Sequence, residues 1–180
     1  LLLFTLPALL SATPLLYPRI CPGPIDLNIN DVFAYERATG HTGVDPLGAY
    51  LPVTVVERPI GSPLEAQYAA GEPIKRFDRS SLPEGAQIVS EAYQPNRAEV
   101  ALASPTAFRA TYLTFDFLGW RVAIDDQPVP IVPSDPNGLI TFDVPAGQHT
   151  IRVTFEDTAL RTLANVISLA ALAVFGSVLV

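Results

Sequence analysis

Between Phe108 and Phe155 apolar and polar residues alternate in short runs, and each run ends at a turn signal. From Arg109 to Phe117, the apolar Ala110, Tyr112, Leu113, Phe115 and Phe117 are interleaved with Arg109, Thr111, Thr114 and Asp116. A period near two sends neighbouring side chains to opposite faces of a strand, one toward a core and one toward water. Gly119-Trp120 interrupts the run, and residues 121–124 resume it. Residues 129–132 and 139–144 follow, then 149–155 with Ile151, Val153 and Phe155 on one face.

The separators carry turn chemistry. In Asp125-Asp126-Gln127 the Asx side chains bond the backbone just downstream. In Asp135-Pro136-Asn137-Gly138, Asn-Gly tolerates positive φ and Pro presets the entry. Pro145-Ala146-Gly147 is a third turn. About five strands within about 50 residues is the spacing of an antiparallel sandwich or barrel.

Upstream, residues 86–93 and 97–103 flank Gln94-Pro95-Asn96 and predict a hairpin, with Ala98, Val100 and Leu102 alternating against Arg97, Glu99 and Ala101. Residues 50–56 predict one more strand, stopped by Pro59. The expected fold is mainly β, an antiparallel β-sandwich of jelly-roll-like form.

The two ends of the chain follow another pattern. All 11 basic and all 18 acidic residues lie between Arg19 and Arg161. From Thr162 to Val180 no residue is ionisable, and beyond Thr162 only Asn165, Ser168 and Ser177 are polar. These 19 residues span about 28 Å as a helix, close to the roughly 30 Å of a bilayer's hydrocarbon core. A soluble helix would show a polar face, so residues 158–180 read as a transmembrane helix. Glu156-Asp157-Thr158 ahead of it suits a helix start, with Asp157 or Thr158 as the cap.

Residues 1–16 are apolar apart from Thr5, Ser11 and Thr13, and include Pro7 and Pro14. Two readings compete there: the hydrophobic part of a signal peptide, or the end of a transmembrane helix whose beginning is missing. The absence of a basic flank and of any Met favours the second. The domains expected are therefore a truncated membrane helix over residues 1–17, a juxtamembrane linker over 18–49, an extracytoplasmic β-sandwich over 50–157, and a membrane helix over 158–180.

Within the linker, Asn30 or Asp31 is expected to cap a short helix through Thr39, ended by Gly40, with Ile29, Val32 and Phe33 inward. Residues 61–85 are the least regular stretch. The stretch with Lys75-Arg76-Phe77-Asp78-Arg79 reads either as a surface excursion with a short strand near residues 73–77, or as a basic spot for lipid phosphate or a partner. Acids interleave with the cations, which favours the first.

The net charge of −7 disfavours nucleic-acid binding, which needs a surplus of Lys and Arg. Cys21 stands alone, so neither an internal disulfide nor a Cys-based zinc site is expected, and no cofactor signature is present. Asp125, Asp126, Asp135 and Asn137 lack the alternating ligand spacing of a calcium loop and sit where turns need them. His41 and His149 have no serine-elbow or HExxH context, and His149 reads as structural. Gly40, Gly43 and Gly48 match no phosphate-loop spacing. Two candidate ligand-binding residues remain. Trp120, the single tryptophan, reads as a sugar-stacking platform or, more economically, as a packed aromatic. Glu36 is an isolated acid at the end of the short helix, or simply a solvated position. No catalytic residue is assigned.

The runs Leu118-Gly119-Trp120-Arg121-Val122-Ala123-Ile124-Asp125, Asn137-Gly138-Leu139-Ile140 and Val144-Pro145-Ala146-Gly147-Gln148-His149-Thr150-Ile151, followed by Ile167-Ser168-Leu169 in an apolar segment, resemble the C-terminal region of YfhO-like bacterial membrane proteins. Relatives in that group are also labelled 6-pyruvoyl-tetrahydropterin-synthase-related. Upstream, Glu36 and Thr39-Gly40-His41-Thr42-Gly43 leading to Gly48-Ala49-Tyr50-Leu51-Pro52 resemble the segment after that family's last core helices, although the family commonly carries Glu where this chain has Ala49. The resemblance implies a multi-pass cell-membrane protein with the fold of polyprenyl-phosphate-sugar-dependent glycosyltransferases, whose catalytic acid would precede Leu1. This chain would then be a non-catalytic extracytoplasmic domain that orients an acceptor glycan. Its implied partners are the lipid bilayer and a cell-envelope glycan or lipid-linked sugar. The alternative is a membrane-anchored surface binding or structural module with an N-terminal signal peptide.

Overall fold

The computed structural model describes residues 28–40 and 50–179. The expected membrane helix over residues 1–17, Cys21, His41 and Ala49 lie outside them. Alternation becomes eight strands: β1 (Gln87–Gln94), β2 (Arg97–Ser104), β3 (Phe108–Phe115), β4 (Trp120–Ile124), β5 (Gln127–Val129), β6 (Val132–Pro133), β7 (Leu139–Val144) and β8 (Gly147–Phe155). They form two antiparallel sheets, one ordered β1-β2-β8-β4-β5 and one ordered β3-β7-β6. β8 is central in the larger sheet. It pairs with β2 from Arg97↔Thr154 to Ser104↔Gly147, and with β4 from Trp120↔Phe155 to Ile124↔Ile151.

One buried cluster draws on both sheets. The larger contributes Ala98, Val100, Leu102, Val122, Ile124, Ile151 and Val153; the smaller contributes Ala110, Tyr112, Ile140, Phe142 and Val144. Each set keeps the spacing of two seen in the sequence, because a pleated strand turns every second side chain to the same face. Thr141 alternates with the cluster residues yet is buried, and its hydroxyl donates to the Val132 carbonyl of the neighbouring β6.

Three helices complete the described chain: α1 (Ile29–Thr39), α2 (Glu65–Ala70) and α3 (Ala159–Leu179). The cap of α1 is Asn28 rather than Asn30 or Asp31: its side chain accepts from both of their backbone N–H groups, and the Asp31 side chain reaches back to the Asn28 N–H. Gly40 ends the helix at φ 69°, as expected. Ile29 and Val32, expected inward, are exposed; Phe33 is half-buried and meets the Tyr68 ring of α2 edge-on at 6.3 Å. In α3, the Thr158 hydroxyl accepts from the Arg161 N–H at 3.3 Å and caps the first turn. Residues 159–177 have a mean hydropathy of 1.7 and none is buried, so α3 is long and apolar enough to cross a membrane.

Three expected strands differ. Residues 129–132 divide between two sheets: β5 ends at Val129, and the chain crosses at Pro130-Ile131 to begin β6. The prolines supply no donors, so a continuous ladder cannot form there. Residues 50–56 form a turn, Val55 N–H to Pro52 carbonyl, and their tie to the sheets is Val56 N–H to the Pro136 carbonyl at 2.8 Å. Near Phe77 the strand shrinks to one bridge to Tyr112. That stretch is nevertheless no mere surface excursion, since Phe77 is 2% exposed and belongs to the core.

At Gly147 the chain turns from β7 into β8 with φ 128°, a region costly for any residue with a Cβ, and an added Cβ would sit 3.1 Å from the His149 ring. Gly147→Val is expected to destabilise the fold by about 1–3 kcal/mol, lowering the melting temperature by several degrees. An unchanged calorimetric melt would refute this account of the turn.

Candidate functional site

β8 ends at Phe155, and the chain passes through Glu156-Asp157-Thr158 into α3. The connection from β3 to β4 lies against this stem. The Glu156 N–H donates to the Gly119 carbonyl at 2.8 Å, and the Phe155 N–H to the Asn96 carbonyl at 2.8 Å. Gly119 has φ 123°, and a Cβ there would fall 2.6 Å from the Glu156 carbonyl oxygen and 3.0 Å from the Phe155 ring. The close approach of the two segments therefore depends on glycine at this position.

Beside this crossing lies an open groove of about 990 Å³ whose walls include Asp116, Trp120, Arg121, Pro130, Ile131 and Glu156. Trp120 is 9% exposed, with its ring 5.2 Å from Phe155 and 6.0 Å from Tyr112. It is a wall packed from behind, with little open face for stacking. Arg121, the next residue on β4, points outward and makes no ion pair among the described residues. By contrast Arg152, also on the wall, is held by Asp126 and Glu99. Partial burial pushes the Asp116 carboxyl above its ordinary range, and no cation pairs with it among the described residues. The groove thus combines apolar walls, one uncommitted guanidinium and one carboxyl shifted toward its neutral form. These are means of binding a polar ligand.

The second candidate lies elsewhere. Glu36 is half-buried in α1, where its carbonyl accepts from the Gly40 N–H, and it lines no part of this groove. α1 is joined to α2 by an ion pair between Arg37 and Glu65. Asp116 and Arg121 carried no signal of their own in the sequence, because their pairing with the groove depends on β4, β5 and β8 lying together.

At the far end of the larger sheet, Asp125 and Asp126 take φ of 50° and 65° in the turn from β4 to β5. Asp125 accepts from the Thr150 N–H at 2.8 Å and pairs with His149 Nδ1 at 2.7 Å, while His149 Nε2 faces the Ala146 carbonyl at 3.2 Å. Both ring nitrogens meet oxygen acceptors, an arrangement best satisfied by imidazolium. Among the described residues no group of His, Cys, Asp and Glu is arranged to hold a metal. The basic stretch near Phe77 is also committed: Lys75 and Arg79 each reach Glu91 at 2.7 Å, and Arg76 donates to the Pro95 carbonyl at 3.1 Å.

Comparison of the chain with protein-family models, with curated proteins and with solved structures gives no match.

The hydrogen bond to Asp125 raises His149 above its ordinary 6.5, and the bonds from Thr150 and His149 lower Asp125 below 3.8. On the histidine side the stabilisation is fully present below about pH 6.5 and is lost as pH rises through the raised value. On the aspartate side it is present above about pH 4 and is lost as pH falls through the lowered value. The pair therefore stabilises most between about pH 4 and 6.5. The melting temperature of the native chain is expected to fall as pH rises from about 6.5 through the raised value of His149, and His149→Gln to flatten that fall. An equal fall in both proteins would show that another group is responsible.

Proposed function

We propose that this chain is a non-catalytic, extracytoplasmic β domain of a multi-span cell-membrane protein, resembling lipid-linked-sugar glycosyltransferases, and that its groove beside Trp120 and Arg121 holds an acceptor glycan of the cell envelope. In this reading the two sheets are the layers of a β-sandwich. It is jelly-roll-like in that the chain passes between sheets at β2–β3, β3–β4, β5–β6 and β7–β8. The domain is carried between membrane helices at residues 1–17 and 158–180.

The observation that carries the reading is that Glu156, in the stem of α3, and Arg121 line one groove. A ligand there would lie beside the point where an apolar helix of bilayer length leaves the domain. Its walls suit a polyhydroxylated ligand: the guanidinium of Arg121 donates in a planar fork, and the Asp116 carboxyl can accept or, when neutral, donate. His149 and Asp125 sit at the opposite end of β8 and both ring nitrogens are engaged, so they supply no base to the groove.

The test is calorimetric titration of the full chain in nanodiscs with neutral and anionic cell-envelope oligosaccharides. Binding is expected, weakened about tenfold to a hundredfold by Arg121→Ala at an unchanged melting temperature. Absence of binding by the folded native chain, or equal binding by the variant, would refute the proposal.

A further inference from the structure

We infer that the helix-side end of the β domain carries an apolar lip, formed by Val53, Val56, Phe117 and Leu118, that seats in the interfacial layer of a lipid bilayer. The inference rests on the reading of α3 as a membrane span.

The four residues come from segments far apart in sequence; one is bonded to the stem of α3 and the other to the turn at residues 136–138, which is itself bonded to Asp116. The Glu156 N–H reaches the Gly119 carbonyl at 2.8 Å, and the Asp116 N–H reaches the Gly138 carbonyl at 2.9 Å. From the same turn, the Pro136 carbonyl accepts from the N–H groups of Val56 at 2.8 Å and Glu57 at 3.2 Å. A Cβ on Gly138 would fall 2.8 Å from Val55 Cγ2, so the two segments are in contact. This series of contacts places both loops at the end of the domain from which the helix leaves.

Water-exposed apolar side chains concentrate there. Leu118 is 85% exposed, Phe117 42%, Val53 102% and Val56 75%. Val53 stands at the tip of the turn closed by the Val55 N–H and the Pro52 carbonyl. Across residues 50–158, the remaining exposed large hydrophobics are Tyr50, Ile60, Tyr68, Val89 and Val132, and no comparable pair of loop tips occurs among them.

The occupant follows from continuity with α3. The apolar stretch begins at Ala159, three residues beyond Glu156. Three residues reach at most about 10 Å. A bilayer that accepts α3 therefore brings its headgroup layer to this end of the domain, where exposed apolar side chains lose water. Arg161, in the first helical turn, lies 5.2 Å from the Phe155 ring centroid, which draws its charge back toward the domain and the headgroup level. Glu57, Asp135 and Asp157 are exposed around the lip, so attraction to anionic lipid is not what holds it.

The experiment uses the full chain in phosphatidylcholine nanodiscs, with Cys21→Ser as background and single fluorophores at Val53→Cys, Leu118→Cys, Leu169→Cys and Gln148→Cys. Leu169 lies within α3, and Gln148 is exposed at the far end of β8. Expected are blue-shifted emission and quenching by a headgroup-proximal lipid quencher at Val53 and Leu118, quenching by a bilayer-centre lipid quencher at Leu169, and quenching only by aqueous iodide at Gln148. A lipid-buried Leu169 with iodide-accessible Val53 and Leu118 would overturn the lip and leave the span intact. Labels at Val53 and Leu118 shielded from both iodide and lipid quenchers would also overturn it, showing that protein covers this face. An iodide-accessible Leu169 would overturn the span and the lip together.

Discussion

β8 is hydrogen-bonded along both edges and continues, within four residues, into an apolar helix. Everything else in the domain is placed relative to that strand. Its inward residues, Ile151 and Val153, enter the core, while its outward residues, Arg152 and Thr154, line the groove. Moving β8 by one residue would exchange these faces, burying a guanidinium and exposing the aliphatic side chains. The core therefore sets the register of the groove, and because β8 leads directly into α3, the groove has a defined place along the chain beside the helix.

The two ends of the domain have opposite chemistry. At the end remote from α3, Asp125 and His149 join the turns on either side of β4 and β8, and Asp126 holds Arg152. These are charges in contact with water, where ion pairs individually add little. Their role is geometric: Asp125 and Asp126 occupy positive φ, and their side chains hold that backbone to its neighbours. At the other end the turns carry Val53, Phe117 and Leu118. Each apolar loop is tied by its backbone to Gly119, Gly138 or Pro136, positions where side-chain bulk or a backbone donor is missing. The exposed apolar loop tips thus lie at the end from which α3 leaves, among acids, while the far end carries ion-paired turns.

Local signals carried much of this architecture. Alternation placed the residues of β7 at 139–144, where they are observed, and the turn chemistry at Pro95, Asp125, Asn137 and Ala146 separated the strands correctly. Alternation failed where the answer lay in a partner strand. Residues 50–56 are apolar enough for a strand, but they close a turn on themselves and bond the Pro136 carbonyl rather than a partner strand. Phe77, embedded among charges, looked exposed; it is buried because the Arg76 carbonyl and Asp78 N–H bond the free edge of β3. The nearby cations looked available until β1 brought Glu91 beneath them. For the groove, Trp120 was conspicuous as the single tryptophan, whereas Arg121 and Asp116 resemble any other charges on a strand and its exit. What sets them apart is the lack of an ion-pair partner among the described residues and, for Asp116, partial burial, and both are properties of the assembled sheets.

This difference between committed and uncommitted charge bears most directly on function. On the same outer surface of the larger sheet, Arg97 pairs with Glu99, and Arg152 with Glu99 and Asp126, while Arg121 makes no ion pair among the described residues. Exposure to water makes an unpaired guanidinium cheap to keep, so stability does not select against it. Asp116 is the converse: partial burial without a cation works against its charged form and is costly unless a ligand supplies donors. A ligand with hydroxyl groups along the groove would donate to Asp116 and accept from Arg121 at once, resolving the first group's cost with the second group's spare capacity. The groove wall also carries a second carboxylate, Glu156, at the stem of α3.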